Sequence, residues 1–100
     1  MTTVHVNDTP KILLKIVDQD GEVVDVSGAT VKVFILSPGD NIKEENTEFE
    51  NDGKDGYVYY KFGLKEINKP GSWQMMLRVV KDQDDFASKT FKMEVAKRLG

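Results

Sequence analysis

Lys89-Thr90-Phe91-Lys92-Met93-Glu94-Val95 alternates polar and apolar side chains at every step from Thr90 onward. Successive side chains on a strand point to opposite faces, so this stretch reads as a half-buried strand. Phe91, Met93 and Val95 face a core, and Thr90, Lys92 and Glu94 face water. The same period of two recurs upstream. Residues 11–18 set Ile12, Leu14 and Ile16 against Lys11, Leu13, Lys15 and Val17. Residues 29–36 set Val31, Val33 and Ile35 against Thr30, Lys32 and Phe34. Residues 57–62 bring Val58, Tyr60 and Phe62 to one side, and residues 73–80 do so for Trp73, Met75, Leu77 and Val79.

Turn chemistry separates these runs. Asp18-Gln19-Asp20-Gly21, Ser37-Pro38-Gly39-Asp40, Asn51-Asp52-Gly53-Lys54-Asp55-Gly56, Lys69-Pro70-Gly71 and Lys81-Asp82-Gln83-Asp84-Asp85 all carry residues that favour tight turns. Short strands at this spacing, with no long helical pattern between them, predict an all-β sandwich or barrel. The charged stretch 42–50 reads as a mostly exposed edge strand, and 64–68 as one helical turn or an irregular crossover. The expected inward set is Ile12, Leu14, Ile16, Val31, Val33, Ile35, Val58, Tyr60, Phe62, Trp73, Met75, Leu77, Phe91, Met93 and Val95, with Trp73 as the packing residue between sheets.

The 100 residues suit one domain, 1–100, that buries its own core without metal or disulfide support. Residues 1–9 read as a partly mobile segment and 96–100 as a tail. The net charge of −3 is spread along the chain, with no basic stripe for nucleic acid or an anionic membrane. No apolar run approaches the length of a membrane span. The first residues lack the basic-then-apolar pattern of a secretory signal, and the absence of cysteine suits a cytosolic site of synthesis. Asn7-Asp8-Thr9 reads as a turn before Pro10 rather than a glycosylation site.

Catalytic chemistry finds no constellation here. There is no cysteine and one histidine, His5, which reads as an ordinary exposed or edge-strand residue. A triad therefore lacks its base, and zinc or copper lacks ligands. Asp18, Asp20 and Asp25 flank one turn, and Asn51, Asp52 and Asp55 another. The calcium-loop template started at Asn51 fails, because its third position is Gly53 and its last is Phe62. The expectation is a non-enzyme with no cofactor and no metal.

Ile12 to Gly21, continued through Val24-Asp25-Val26-Ser27-Gly28-Ala29 into Val31-Lys32-Val33-Phe34, resembles the N-terminal immunoglobulin-like domain of upper baseplate proteins in phages of Gram-positive hosts. Asp55 to Tyr60, Pro70 to Met75 and Phe91 to Val95 are similar to later segments of the same family, so the resemblance runs from about residue 10 to residue 95. It implies an immunoglobulin-like (or prealbumin-like) antiparallel β-sandwich of about seven strands. It also implies a structural or assembly role in the tailed-phage virion, in baseplate, tail or capsid surface. In such proteins this domain heads a longer chain that continues into a trimeric stalk.

Outward apolar residues mark the expected contact surface: Leu13, Val17, Phe34, Tyr57, Tyr59, Met76 and Val80. Tyr, Phe and Met on a wet face favour protein partners. Other virion proteins, or like subunits in a homo-oligomer, are the expected partners. The alternative is a carbohydrate-binding or adhesive module that stacks a host surface glycan on Tyr57, Tyr59 or a loop aromatic such as Phe86.

Overall fold

The computed structural model describes residues 4–88 and 90–99. Among them there is no helix; the regular structure is nine strands in two sheets. The strands are β1 (Val4–His5), β2 (Lys11–Lys15), β3 (Thr30–Ser37), β4 (Asn41–Asn46), β5 (Glu48–Phe49), β6 (Tyr57–Lys61), β7 (Gly71–Lys81), β8 (Asp84–Ala87) and β9 (Phe91–Ala96). The larger sheet runs β1-β9-β7-β3-β4, and β8 takes the C-terminal half of β7 where β9 leaves it. The smaller sheet runs β2-β6-β5. All pairings are antiparallel except β1 with β9.

The two sheets close over one core, and the alternation read from the sequence decides its content. Burial along β7 switches at each residue, with Trp73, Met75, Leu77 and Val79 inside. Val31, Val33 and Ile35 from β3 lie beside them, and Leu14, Ile16, Val58, Tyr60 and Phe62 face them from the smaller sheet. Trp73 sits between the sheets as expected. Its ring meets the Phe62 ring edge-on at 6.4 Å, and Phe62 meets Tyr60 in the same way at 4.9 Å. The Trp73 indole N–H donates to the Lys69 carbonyl, so the buried polar tip is satisfied.

Four departures from the sequence reading have local causes. Ile12 and Phe91 are only partly buried, because β2 and the start of β9 flank the open side of the sandwich. Val26 and Ile67, apolar residues in connections that the sequence reading left out of the core, are completely buried. Val4, outside the expected core, is buried where Val4–His5 pairs in parallel with Val95–Ala96. Residues 1–3, and Lys89 at the head of the predicted last strand, lie outside the described residues. Finally, the exposed stretch at 42–50 is two strands on different sheets, β4 and β5, with Thr47 carrying the chain across. Residues 64–68 form the irregular crossover, closed by a Glu66 amide to Gly63 carbonyl bond.

Two glycine turns fix where the smaller sheet ends. Gly53 accepts from the Val26 amide and Gly56 from the Ile16 amide, each with positive φ. A Cβ on Gly56 would lie 2.8 Å from the Ile16 carbonyl oxygen and 3.1 Å from that of Val24. Gly28 shares the positive φ but faces open space. Gly28→Ala should therefore cost only the left-handed penalty of about 1–2 kcal/mol. Gly56→Ala should cost clearly more, because two backbone carbonyls must also move. Urea unfolding of the two variants checks this; equal losses would show that the close approach at Gly56 is immaterial.

Candidate functional site

The outward residues singled out in the sequence fall into separate places on the sandwich. On the outer face of the larger sheet, Phe34 and Met76 stand directly opposite each other in the β3–β7 ladder. The next row of the same face pairs Leu36 with Ile42. Ile42 is 71% exposed and Met76 37%. Leu36 and Ile42 escaped the sequence reading: Ile42 sits in a charged run, and Leu36 ends its strand beside the Ser37-Pro38-Gly39-Asp40 turn. Together the four make an apolar patch at the β3–β4 hairpin end.

A charged row bounds that patch. Lys32 pairs with Glu44 at 3.4 Å, and Arg78 holds Asp85 through two bonds of 3.1 and 2.7 Å. Lys32 and Arg78 are themselves opposite in the ladder, so they cut Val80 off from Met76. Val80 lies beyond them, across from Thr30 and Asp85. It is not part of the same surface.

The outer face of the smaller sheet carries Leu13, Tyr57 and Tyr59, with Leu13 directly opposite Tyr59 and Lys15 opposite Tyr57. This face is roofed by charge. The Lys11 ammonium lies 4.3 Å from the Tyr59 ring centre and 2.8 Å from Glu50, and the Lys15 ammonium is 5.6 Å from the Tyr57 ring. The Tyr59 hydroxyl donates to Glu48, and that bond to a carboxylate holds its pKa above the ordinary value. Val17 belongs to neither face. It bridges Val23 at the start of the Asp18–Gly21 turn and shares a groove with Val24, Phe86 and Phe91. Phe86 lies on β8 opposite Val79, not in a loop.

The acidic turn residues are occupied as turn acceptors. Asp18 accepts from the Asp20 and Glu22 amides, Asp25 from the Ser27 hydroxyl and amide, and Asp52 from the Lys54 amide. Asp55 accepts from the Asn51 side chain and the Tyr57 amide. These bonds hold the Asp25 and Asp55 carboxyls below the usual carboxylate range. His5 is held by its own turn, its amide donating to the Asp8 carboxylate.

One polar cluster lies below the surface, at the junction of the sheets. Glu66, in the crossover, accepts from the Tyr60 hydroxyl, the Lys43 ammonium and the Gly63 amide. Burial pushes the Glu66 carboxyl up, but these three donors outweigh it and leave its pKa lowered. Burial and the same carboxylate push the Tyr60 phenol strongly up. Lys43 thereby ties the β4 edge to β6 of the other sheet. The cluster positions the hairpin that carries the apolar patch.

A group with a depressed folded pKa contributes stability above its unfolded pKa, and that contribution fades as pH falls through the folded value. Glu66→Gln should therefore flatten the loss of stability on acidification below the ordinary carboxylate range. Glu66→Ala should cost about 1–3 kcal/mol at neutral pH, because Tyr60 and Lys43 lose their acceptor. Thermal unfolding across pH 3–8 checks both; an unchanged acid profile in Glu66→Gln would remove this carboxylate from the account.

Residues 2–99 match the family model described as the BppU N-terminal domain. No curated protein matches the chain.

Proposed function

Because the chain belongs to the BppU N-terminal domain family, a structural domain of phage baseplate upper proteins, we propose that it is a non-catalytic docking module. It would seat on a neighbouring virion protein through Phe34, Leu36, Ile42 and Met76. The observation that carries this reading is the apolar patch itself. It lies on a sheet face where Lys32–Glu44 and Arg78–Asp85 pair beside it, at the end of a hairpin held from behind by Glu66. Interfaces of this kind draw their energy from a few desolvated Phe, Met and aliphatic anchors inside a polar rim. Lys32–Glu44 and Arg78–Asp85 supply such a rim.

The immunoglobulin-like assignment is supported by the strand order. A β2-β6-β5 sheet faces a β9-β7-β3-β4 sheet, the partition such sandwiches use. The glycan-binding alternative would use Tyr57 and Tyr59. Against it, a sugar stacking there would have to displace Lys11 and Lys15 from the rings they overlie.

Binding of the chain to baseplate proteins of its own phage, followed by calorimetry, tests the proposal. Phe34→Lys and Met76→Lys should each weaken binding about tenfold or more, the effect expected on losing an anchor worth about 1.4 kcal/mol or more. Tyr59→Ala should leave it unchanged. The opposite pattern, with cell-wall glycan bound and lost in Tyr57→Ala and Tyr59→Ala, would replace docking with glycan binding.

A further inference from the structure

Among the described residues, each sheet ends in a strand that pairs with no strand on its outer edge: β2 in the smaller sheet and β4 in the larger. The ladder pattern says which backbone groups those edges offer. In an antiparallel pair, alternate residues exchange both bonds with the partner strand, and the residues between point theirs away. Phe62 donates to the Pro10 carbonyl and Ile16 to the Gly56 carbonyl. With the register Ile12↔Tyr60 and Leu14↔Val58, this turns the N–H and C=O of Lys11, Leu13 and Lys15 outward. On β4, Thr47 donates to the Val31 carbonyl. With Val33↔Glu45 and Ile35↔Lys43, the free groups there belong to Ile42, Glu44 and Asn46.

The side chains at those free positions are complementary. Antiparallel pairing of β2 from one copy with β4 from the next sets Lys11 against Glu44 and Leu13 against Ile42 in one register. Leu13 is 49% exposed and Ile42 71%, and each is the apolar residue in the middle or at the start of its edge. Directly opposite charges stabilise a strand pair and like charges oppose it. Pairing β2 with another β2 about Leu13 puts Lys11 against Lys15 twice. Pairing β4 with another β4 about Glu44 puts that carboxylate against itself. Each edge rejects its own kind in these registers and fits the other.

We propose that β2 and β4 form a head-to-tail sheet between copies of this chain, with Lys11–Glu44 and Leu13–Ile42 as its cross-strand pairs. The inference deepens the reading of the chain as an assembly part by naming a like partner for its sheet edges. Such a contact is heterologous, so it propagates into a ring where the rotation closes and into a row where it does not. It is also short. Only a few backbone bonds are available, so it forms at high local concentration, as on a shared platform, more readily than in dilute solution.

Sedimentation velocity over a concentration series tests it. The average mass of the wild-type chain should rise with concentration. Lys11→Glu combined with Lys15→Glu, which keeps β2 repelling a second β2, and Glu44→Lys should each raise the dissociation constant about tenfold or more. An equimolar mixture of these two variants should associate again, because position 11 of each chain then meets an opposite charge at position 44 of the other. The chain carrying all three exchanges should do the same. Circular dichroism and the urea midpoint confirm that each variant is folded, and Leu13→Lys provides a second, independent disruption. A chain that stays monomeric at millimolar concentration overturns the proposal, as does an association that the exchanges leave untouched. An association lost only in Met76→Lys would overturn the edge pairing while leaving docking through the Phe34–Met76 patch in place.

Discussion

The edge-to-face contact of Phe62 with Trp73 joins the two sheets, and the rest of the sandwich is arranged around it. Trp73 opens the buried row of β7, and Phe62 ends the buried row that runs along β6. Because side chains on a strand alternate, fixing one inward residue on each sheet fixes the facing of all the others. A slip of one residue in β7 would send Trp73, Met75, Leu77 and Val79 to water and bring Arg78 and Gln74 inside. Burying an unpaired guanidinium is far costlier than any local propensity can offset. The outward positions of Met76 and, through the ladder, of Phe34 follow from the same constraint.

This is why the long strands were legible in the sequence and the connections were not. Period-two alternation names the buried residues of β3, β6, β7 and β9 without any knowledge of their partners. Ile67 has no periodic neighbour, and Val26 alternates only with Val24, too short a run to read as a strand, yet both are fully buried. A lone apolar residue in a polar loop carries no facing information, so only the assembled structure assigns it. Val4 is hidden for a related reason. Its burial depends on the far end of the chain, Val95–Ala96, and no local pattern encodes a contact of that range.

The apolar patch was legible in part. Alternation placed Phe34 and Met76 outward, but it could not say that they are neighbours, because β3 and β7 are distant in sequence. It also grouped Leu13, Tyr57 and Tyr59 with them, although these lie on the opposite face of the sandwich. The Glu66 cluster was invisible for another reason. The chain has 17 acidic residues, and nothing in the spacing of Glu66 separates it from those on the surface. What distinguishes it is three donors, from β4, β6 and its own turn, converging on one half-buried carboxylate.

Exposed sheet edges invite indiscriminate pairing, and charge is the usual deterrent. On this chain the deterrent is unevenly distributed. The free positions of β2 carry cations on either side of Leu13, and those of β4 carry Glu44 between Ile42 and Asn46. A uniform guard of lysines would have blocked every pairing alike. Opposite signs on the two edges block like with like and leave the mixed pairing open. Specificity of this kind is a difference between competing contacts, set by the repulsive ones as much as by the attractive one. A domain whose apolar patch docks on another protein while its edges discriminate among copies uses Ile42 and Glu44 in both contacts, and only Phe34 and Met76 on one side and Lys11 and Leu13 on the other separate attachment from ordering.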